Sequence, residues 1–257
     1  MKKRVSPAEI VTGLSDFDAL AGPIPRGQVT VAAARSSAGT TAFALGVARH
    51  NDEIGRHAVF ASFESGTDTI MGNLIAAVTS VNTDRPLSID KGRRARIERA
   101  RAAMERSRLL MWSFERRTGR WPFKNLMEQL AAQPELDVVV VDGYGQAAHS
   151  EPSEGATFAA LQQLARERDV AVLVTAHLTP DSTTETDPPA LTDLSPLEDP
   201  VAKAETAVIL HRPDHDGTVP QRRGEVDLIA LCGWQATGSV TVRFEPEYHR
   251  FVDLPNQ

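Results

Sequence analysis

The chain has 257 residues, room for one large α/β domain or two small ones, and its 41% hydrophobic and 24% charged content is that of a globular protein with a packed core. A net charge of −6, from 28 basic and 34 acidic residues, excludes a global basic footprint for nucleic acid, and a single cysteine, Cys232, excludes an internal disulfide or a multi-cysteine zinc site. The basic start Met1-Lys2-Lys3-Arg4-Val5 runs into Ser6-Pro7-Ala8-Glu9 in place of an apolar stretch, and no apolar run approaches bilayer length, so we expect a cytoplasmic protein with neither signal peptide nor membrane span.

After a tail of residues 1–10, short β-branched runs alternate with helical patterns. Strands are predicted at 28–33, 57–63, 108–113, 137–141, 170–176, 204–211, 225–231 and 239–245, and helices at 41–51, 67–80, 90–107, 122–133 and 155–168. Val138-Val139-Val140-Val141 and Val170-Ala171-Val172-Leu173-Val174 are continuous apolar runs, the pattern of parallel strands buried on both faces. The βαβα alternation predicts a doubly wound α/β core, with the last two strands as an antiparallel hairpin. Residues 179–190 are polar and proline-rich and read as a surface loop. Residues 91–108 carry eight Lys or Arg against Glu98 and Glu105, with Ile97, Ala100 and Met104 at helical spacing. A solvated basic helix face explains that pattern more simply than a nucleic-acid patch does.

Ligands of open α/β sheets sit beyond the carboxyl ends of the strands, and four strand ends carry chemistry. The first is Arg35-Ser36-Ser37-Ala38-Gly39-Thr40-Thr41, between a strand and a helix, where G-x-x-x-x-G-K-[ST] cradles nucleotide phosphates. Here Ala34 stands at the first glycine and Thr40 at the lysine, while Gly39 and the hydroxyl of Thr41 remain. Backbone N–H groups at the helix start can still hold phosphate oxygens, and Thr41 can still place a hydroxyl on magnesium. An ordinary tight strand-to-helix turn accounts for the same residues equally well.

Asp142 follows the valine run, where a carboxylate can orient magnesium; a helix or turn cap, helped by Gly143, is the alternative. Glu64 ends the 57–63 strand and can polarise a water as general base; a solvated loop carboxylate is the alternative. His177 ends the 170–176 strand and can touch a terminal phosphate; a structural histidine is the alternative.

Together these residues resemble the C-terminal, RecA-like motor domain of DnaB-type replicative helicases. Thr12-Gly13-Leu14-Ser15-Asp16-Phe17-Asp18-Ala19-Leu20 resembles that family's entry motif, followed by Arg26-Gly27 before the first core strand. Ala33-Ala34-Arg35-Ser36-Ser37-Ala38-Gly39-Thr40-Thr41-Ala42-Phe43-Ala44-Leu45 is similar to its A-A-R-P-S-M-G-K-T-A-F-A-L. Glu64 falls at the family's catalytic glutamate, Asp142 at its Walker B aspartate and His177 at a glutamine sensor, and residues from Gly238 through Leu254 resemble its closing hairpin. The likeness spans about residue 10 to 254, and KaiC-like and RadA-like proteins share the same core.

The resemblance implies a RecA-like P-loop NTPase core over 11–257, a mostly parallel twisted sheet flanked by helices with a C-terminal antiparallel hairpin. It implies ATP and magnesium, held weakly, beside the reading of a scaffold with no nucleotide. The departures fall on the chemistry. Thr40 replaces the loop lysine, a charge-assisted contact of roughly 1.5–3 kcal/mol. The family's K-x-R, lysine and arginine finger, falls at Leu231-Cys232-Gly233; a missing finger costs a factor of about 10³–10⁵ in turnover. The stretches aligned with the family's channel-facing loops, 147–154 and 179–190, contain no Lys or Arg, so DNA binding is expected to be weak at most. Ten residues precede Val11, so a stand-alone domain without the family's N-terminal helical domain and linker helix is expected. Function is then expected to run through nucleotide binding, weak self-association or an unknown protein partner. The alternative is a working ATP-dependent DNA helicase or translocase.

Overall fold

The computed structural model describes residues 9–83, 90–114, 122–149, 154–178, 204–214, 219–233 and 235–255. The predicted 179–190 loop and residues 150–153 lie outside them.

Among the described residues nine strands form one sheet in the order β3-β2-β4-β5-β1-β6-β7-β8-β9. The central strands are β1 (Val29–Ala34), β2 (Ala58–Ser62), β3 (Leu110–Ser113), β4 (Val138–Asp142), β5 (Ala171–His177) and β6 (Thr206–His211), all parallel. β7 (Glu225–Cys232), β8 (Gln235–Glu245) and β9 (Arg250–Asp253) continue the sheet antiparallel beyond β6. The valine run is the clearest case of sequence dictating depth: Val138 through Val141 are each fully buried because helices cover both faces of β4. Each such side chain contributes about 1.5–3 kcal/mol of burial.

β1 shows how the faces divide. Val29, Val31 and Ala33 point into the apolar layer shared with Phe158 and Leu161 of α7 (Glu154–Arg168), whereas Ala32 and Ala34 face Phe43 and Leu45 of α2 (Thr40–Glu53). The remaining helices are α1 (Ser15–Ala21), α3 (Thr67–Thr79), α4 (Lys91–Met104), α5 (Pro122–Ala131) and α6 (Tyr144–Ala148). Among the described residues no helix is long and apolar enough to cross a membrane.

All eight predicted strands and five predicted helices are present, with ends shifted by a few residues. Apart from the 3-10 turns Pro220–Arg222 and Pro246–Tyr248, three elements among the described residues lie outside the prediction. Asp18 folds the entry motif into α1 by accepting from the backbone N–H groups of Thr12 and Gly13 and the Thr12 hydroxyl at 2.8–3.0 Å. Ala147 and Ala148, expected in a loop, are instead buried in α6, held there by the layer that Tyr144 and Phe158 fill. β9 is only four residues long and alternates no apolar face; its place comes from the Phe244–Phe251 stack, 4.7 Å between ring centres.

The 90–107 prediction becomes α4, whose Ala100 is buried while the charged positions 91, 93, 94, 96, 98, 99 and 101 are exposed. Asp90 caps its first turn by accepting from the Arg93 N–H at 2.8 Å.

Candidate functional site

The parallel order puts the ends of β2, β4, β5 and β1 side by side, so Glu64, Asp142, His177 and the 35–41 loop share one edge of the sheet. β1 and β5 are in register through Ala34 opposite His177, and the Leu178 N–H donates to the Ala34 carbonyl at 2.8 Å.

The loop is held at both flanks. Ala38 N–H closes a turn on the Arg35 carbonyl at 3.3 Å. Ser36 and Ser37 are exposed, and Ser37 adopts φ 65°, a left-handed conformation that costs a non-glycine residue about 1–2 kcal/mol. Gly39 caps α2 at φ 98° and brings no side chain to the cap, so among the described residues no side-chain cap closes the start of this 14-residue helix. A Cβ at Gly39 would stand 3.0 Å from Phe244 and 3.1 Å from Phe251, because the β8–β9 hairpin walls the loop from outside. Thr40 is buried, and no side-chain charge is present at its position. Arg35 lies on the β6 side, where its charge and that of Arg222 help burial lower the pKa of His211.

Asp142 is fully buried and is the centre of the edge. Its Oδ1 accepts from Thr41 Oγ1 at 2.9 Å and Thr175 Oγ1 at 3.0 Å, and its Oδ2 accepts from Ser62 Oγ at 2.9 Å. Burial, with some help from the Glu64 charge, still pushes its pKa above the ordinary 3.8 despite the three hydroxyls. A buried carboxylate in this state gains from a cation. Magnesium takes one or two carboxylates together with substrate phosphates, so the Asp142–Thr41 pair beside an open helix start fits a magnesium nucleotide. The residues present fit that ligand in all but the charge at Thr40.

Ser62 and Thr175 escaped the sequence reading. Ser62 donates to Asp142 while accepting from the Glu64 and Ser65 N–H groups at 3.2 and 3.0 Å, and Thr175 accepts from the Gly143 N–H at 2.8 Å. Their signal was a lone hydroxyl near the end of an otherwise apolar strand.

Glu64 is half-buried, and its Oε1 lies 3.1 Å from His177 Nε2. The hydrogen bond to His177 is the main cause that lowers the Glu64 pKa, and the same bond is the main cause that raises that of His177. Leu231 and Cys232 end β7, with Cys232 exposed opposite Gln235.

A family model described as the DnaB-like helicase C-terminal domain matches residues 9–253. The replicative DNA helicase DnaB of Leifsonia xyli subsp. xyli (strain CTCB07) is 27% identical over 258 aligned positions, covering 95% of this chain and 56% of that protein. The chain therefore spans little more than half the length of that relative.

Among solved structures, that of a DnaB-like replicative helicase, described with its interactions with primase, superposes with a TM-score of 0.81 at 20% identity, over 96% of this chain and 62% of the other. A second structure, described as an ATPase domain, gives 0.76 at 20% identity, over 96% and 91%. The RadB recombinase gives 0.59 at 14% identity, over 96% and 100%. At these identities the superpositions establish the fold, and the family rests on the sequence match.

Proposed function

From its membership of the DnaB-like helicase C-terminal domain family, to which this chain belongs, we propose that it is a RecA-like nucleotide-binding protein with little hydrolysis, acting through nucleotide-dependent assembly or partner contacts. The observation that carries this reading is a division within one edge of the sheet. The two side chains that would hold magnesium, Thr41 and Asp142, are both in place and 2.9 Å apart. The phosphate-charge side has a buried threonine, Thr40, where the resemblance expects lysine. Binding draws on the backbone cradle and the cation; turnover needs positive charge where negative charge develops, and a carboxylate cannot supply it.

Arg35, Ser36, Ser37, Ala38, Gly39, Thr40 and Thr41 would border the phosphates, with His177 at the terminal one. Thr41 and Asp142 would hold magnesium, and Glu64 would serve as base. The cation arriving with the nucleotide would bring the positive charge that Asp142 lacks in its buried place. A protein partner is proposed on the likeness to a helicase described with primase.

Calorimetry with ATP and magnesium, paired with steady-state hydrolysis with and without single-stranded DNA, tests the proposal. Binding in the micromolar range or weaker is expected, with hydrolysis far below the usual enzyme range of about 1–10³ s⁻¹. DNA-stimulated turnover inside that range would establish the second reading, a working helicase, which the joint presence of Glu64, Asp142 and Thr41 favours. Absence of any nucleotide binding would leave a scaffold.

A further inference from the structure

Glu64 leaves the end of β2, yet its carboxylate finishes against the end of β5, one strand beyond its neighbour β4. The route crosses Gly143. A Cβ there would lie 2.6 Å from Glu64 Cγ and 3.2 Å from Cδ, so with any side chain at 143 Glu64 would have to move off this path. Gly143 also holds φ 87° as the cap of α6, so both its missing side chain and its backbone belong to this crossing. Gln146, the third residue of α6, is on the same side and adds to His177 in lowering the Glu64 pKa.

We propose that His177, Gly143 and Gln146 form a latch that engages the carboxylate of Glu64 and keeps it from acting as a base. The inference rests on the nucleotide-binding reading and supplies a second source of quiescence beside Thr40. A carboxylate hydrogen-bonded to a group that can be cationic takes a proton from water less readily. The directions agree: the base is made weaker and its partner more basic by the same bond. Among the described residues the charged groups facing His177 are Glu64 and, farther off, Asp142; both are carboxylates and both favour the imidazolium. His177 and Gln146 are positioning residues here, acting through Glu64.

The test uses the full chain with Thr40→Lys as background, so that phosphate contact does not limit the reading. His177→Ala, His177→Gln and Gly143→Ala are added singly. Single-turnover hydrolysis of magnesium ATP is followed with protein in excess, ADP affinity is measured by calorimetry, and the Glu64 carboxyl is titrated by carbon NMR without nucleotide. The latch predicts that His177→Ala speeds hydrolysis at least tenfold at pH 6, narrowing as pH rises through the imidazole titration. It also predicts that the Glu64 pKa returns upward and that ADP affinity stays within about twofold. His177→Gln keeps a neutral donor and should fall between, with no pH dependence of its own. Gly143→Ala, if circular dichroism shows it folded, should match His177→Ala; if it does not fold, the His177 pair and the titration decide. Equal or slower hydrolysis in His177→Ala with ADP affinity intact overturns the latch alone. If Thr40→Lys binds neither ADP nor ATP, the nucleotide-binding reading falls and the latch with it.

Discussion

Thr41 Oγ1 donates to Asp142 Oδ1 at 2.9 Å, joining the start of α2 to the end of β4, 101 residues apart in the chain. With Ser62 and Thr175 it makes Asp142 a fully buried carboxylate held by three hydroxyls, while the nearby Glu64 charge opposes its ionisation. That arrangement is costly for an empty protein and useful for one that takes up a cation.

The first prediction follows from that cost. The folded pKa of Asp142 is raised, so the stabilising, protonated form is fully present below its ordinary 3.8 and is lost as pH rises through the folded value. At neutral pH the ionised group opposes folding. Asp142→Asn is therefore expected to stabilise the nucleotide-free protein at pH 7 by roughly 1 kcal/mol, a Tm gain of about 2–4 °C for a chain of this size. The gain should shrink on acidification and be absent below the ordinary carboxylate range. Thermal melts across pH, with and without magnesium ATP, check it. The same variant should lose magnesium-dependent binding, and a lower Tm at pH 7 would count against a strained carboxylate.

How much of this was legible in the sequence differs by element. The valine run and the small-residue β1 announce buried parallel strands, because only a sheet covered on both faces leaves no polar alternation. The candidates Thr41, Glu64, Asp142 and His177 were each visible at a strand end, and the parallel order gathers them at one edge. What stayed hidden depends on contacts across the sheet. Ser62 and Thr175 read as ordinary strand residues until Asp142 is placed between them. Gly143 read as a turn residue, whereas its missing Cβ makes room for Glu64. α1 depends on Asp18 folding back on Thr12 and Gly13, and β9 on two phenylalanines stacking, neither of which has a local periodicity.

On the nucleotide-binding reading, Thr40→Lys should tighten ATP by roughly tenfold or more, about 1.4 kcal/mol per decade, because it would set a cation beside the helix-start N–H groups proposed to meet the phosphates. Its effect on ADP should be smaller, since the added charge addresses the outer phosphates. Competition calorimetry at fixed magnesium reads both. Unchanged affinity for both nucleotides would mean that the buried space around Thr40 does not open to a phosphate.

The Glu64–His177 pair sets a pH window. Glu64 is lowered, so its contribution is present above its ordinary 4.5 and lost as pH falls; His177 is raised, so its contribution is present below its ordinary 6.5 and lost as pH rises. The Tm difference between the parent and His177→Gln is expected to peak between pH 4.5 and 6.5 and to fade on both sides. Because the imidazole is 47% exposed, the peak should be small and should flatten in high salt. A difference that is level from pH 4 to 9 would show that the contact carries no charge.

Gly39→Ala tests the wall behind the loop. The residue holds φ 98°, and a new methyl group would press on Phe244 and Phe251 at 3.0–3.2 Å. Backbone strain and displaced aromatic rings add, so a loss of about 1–3 kcal/mol is expected. Phe251→Leu in the same chain should recover part of it by relieving the contact while leaving the φ strain. Denaturant unfolding of the two single variants and the double variant measures the coupling, and strict additivity would remove the hairpin from the loop's support.

DNA binding offers the last expectation, and α4 is where it is decided. Arg94 and Arg101 are exposed on this helix, and Arg93 lies 3.7 Å from the capping Asp90, so its charge is partly offset. The whole chain carries −6, and counterion release scales with the number of phosphates neutralised. Three arginines on one surface helix would give a salt slope of only about −2 for a single strand, from roughly 0.7 per phosphate. Binding to single-stranded DNA is therefore expected to be weak, to vanish near physiological salt and to disappear when Arg93, Arg94 and Arg101 are each changed to Glu. Fluorescence anisotropy with a labelled oligonucleotide across a salt series measures slope and affinity together. A slope steeper than about −5 that survives the triple charge reversal would place the contacts on another surface and would favour the working-helicase reading over the quiescent one.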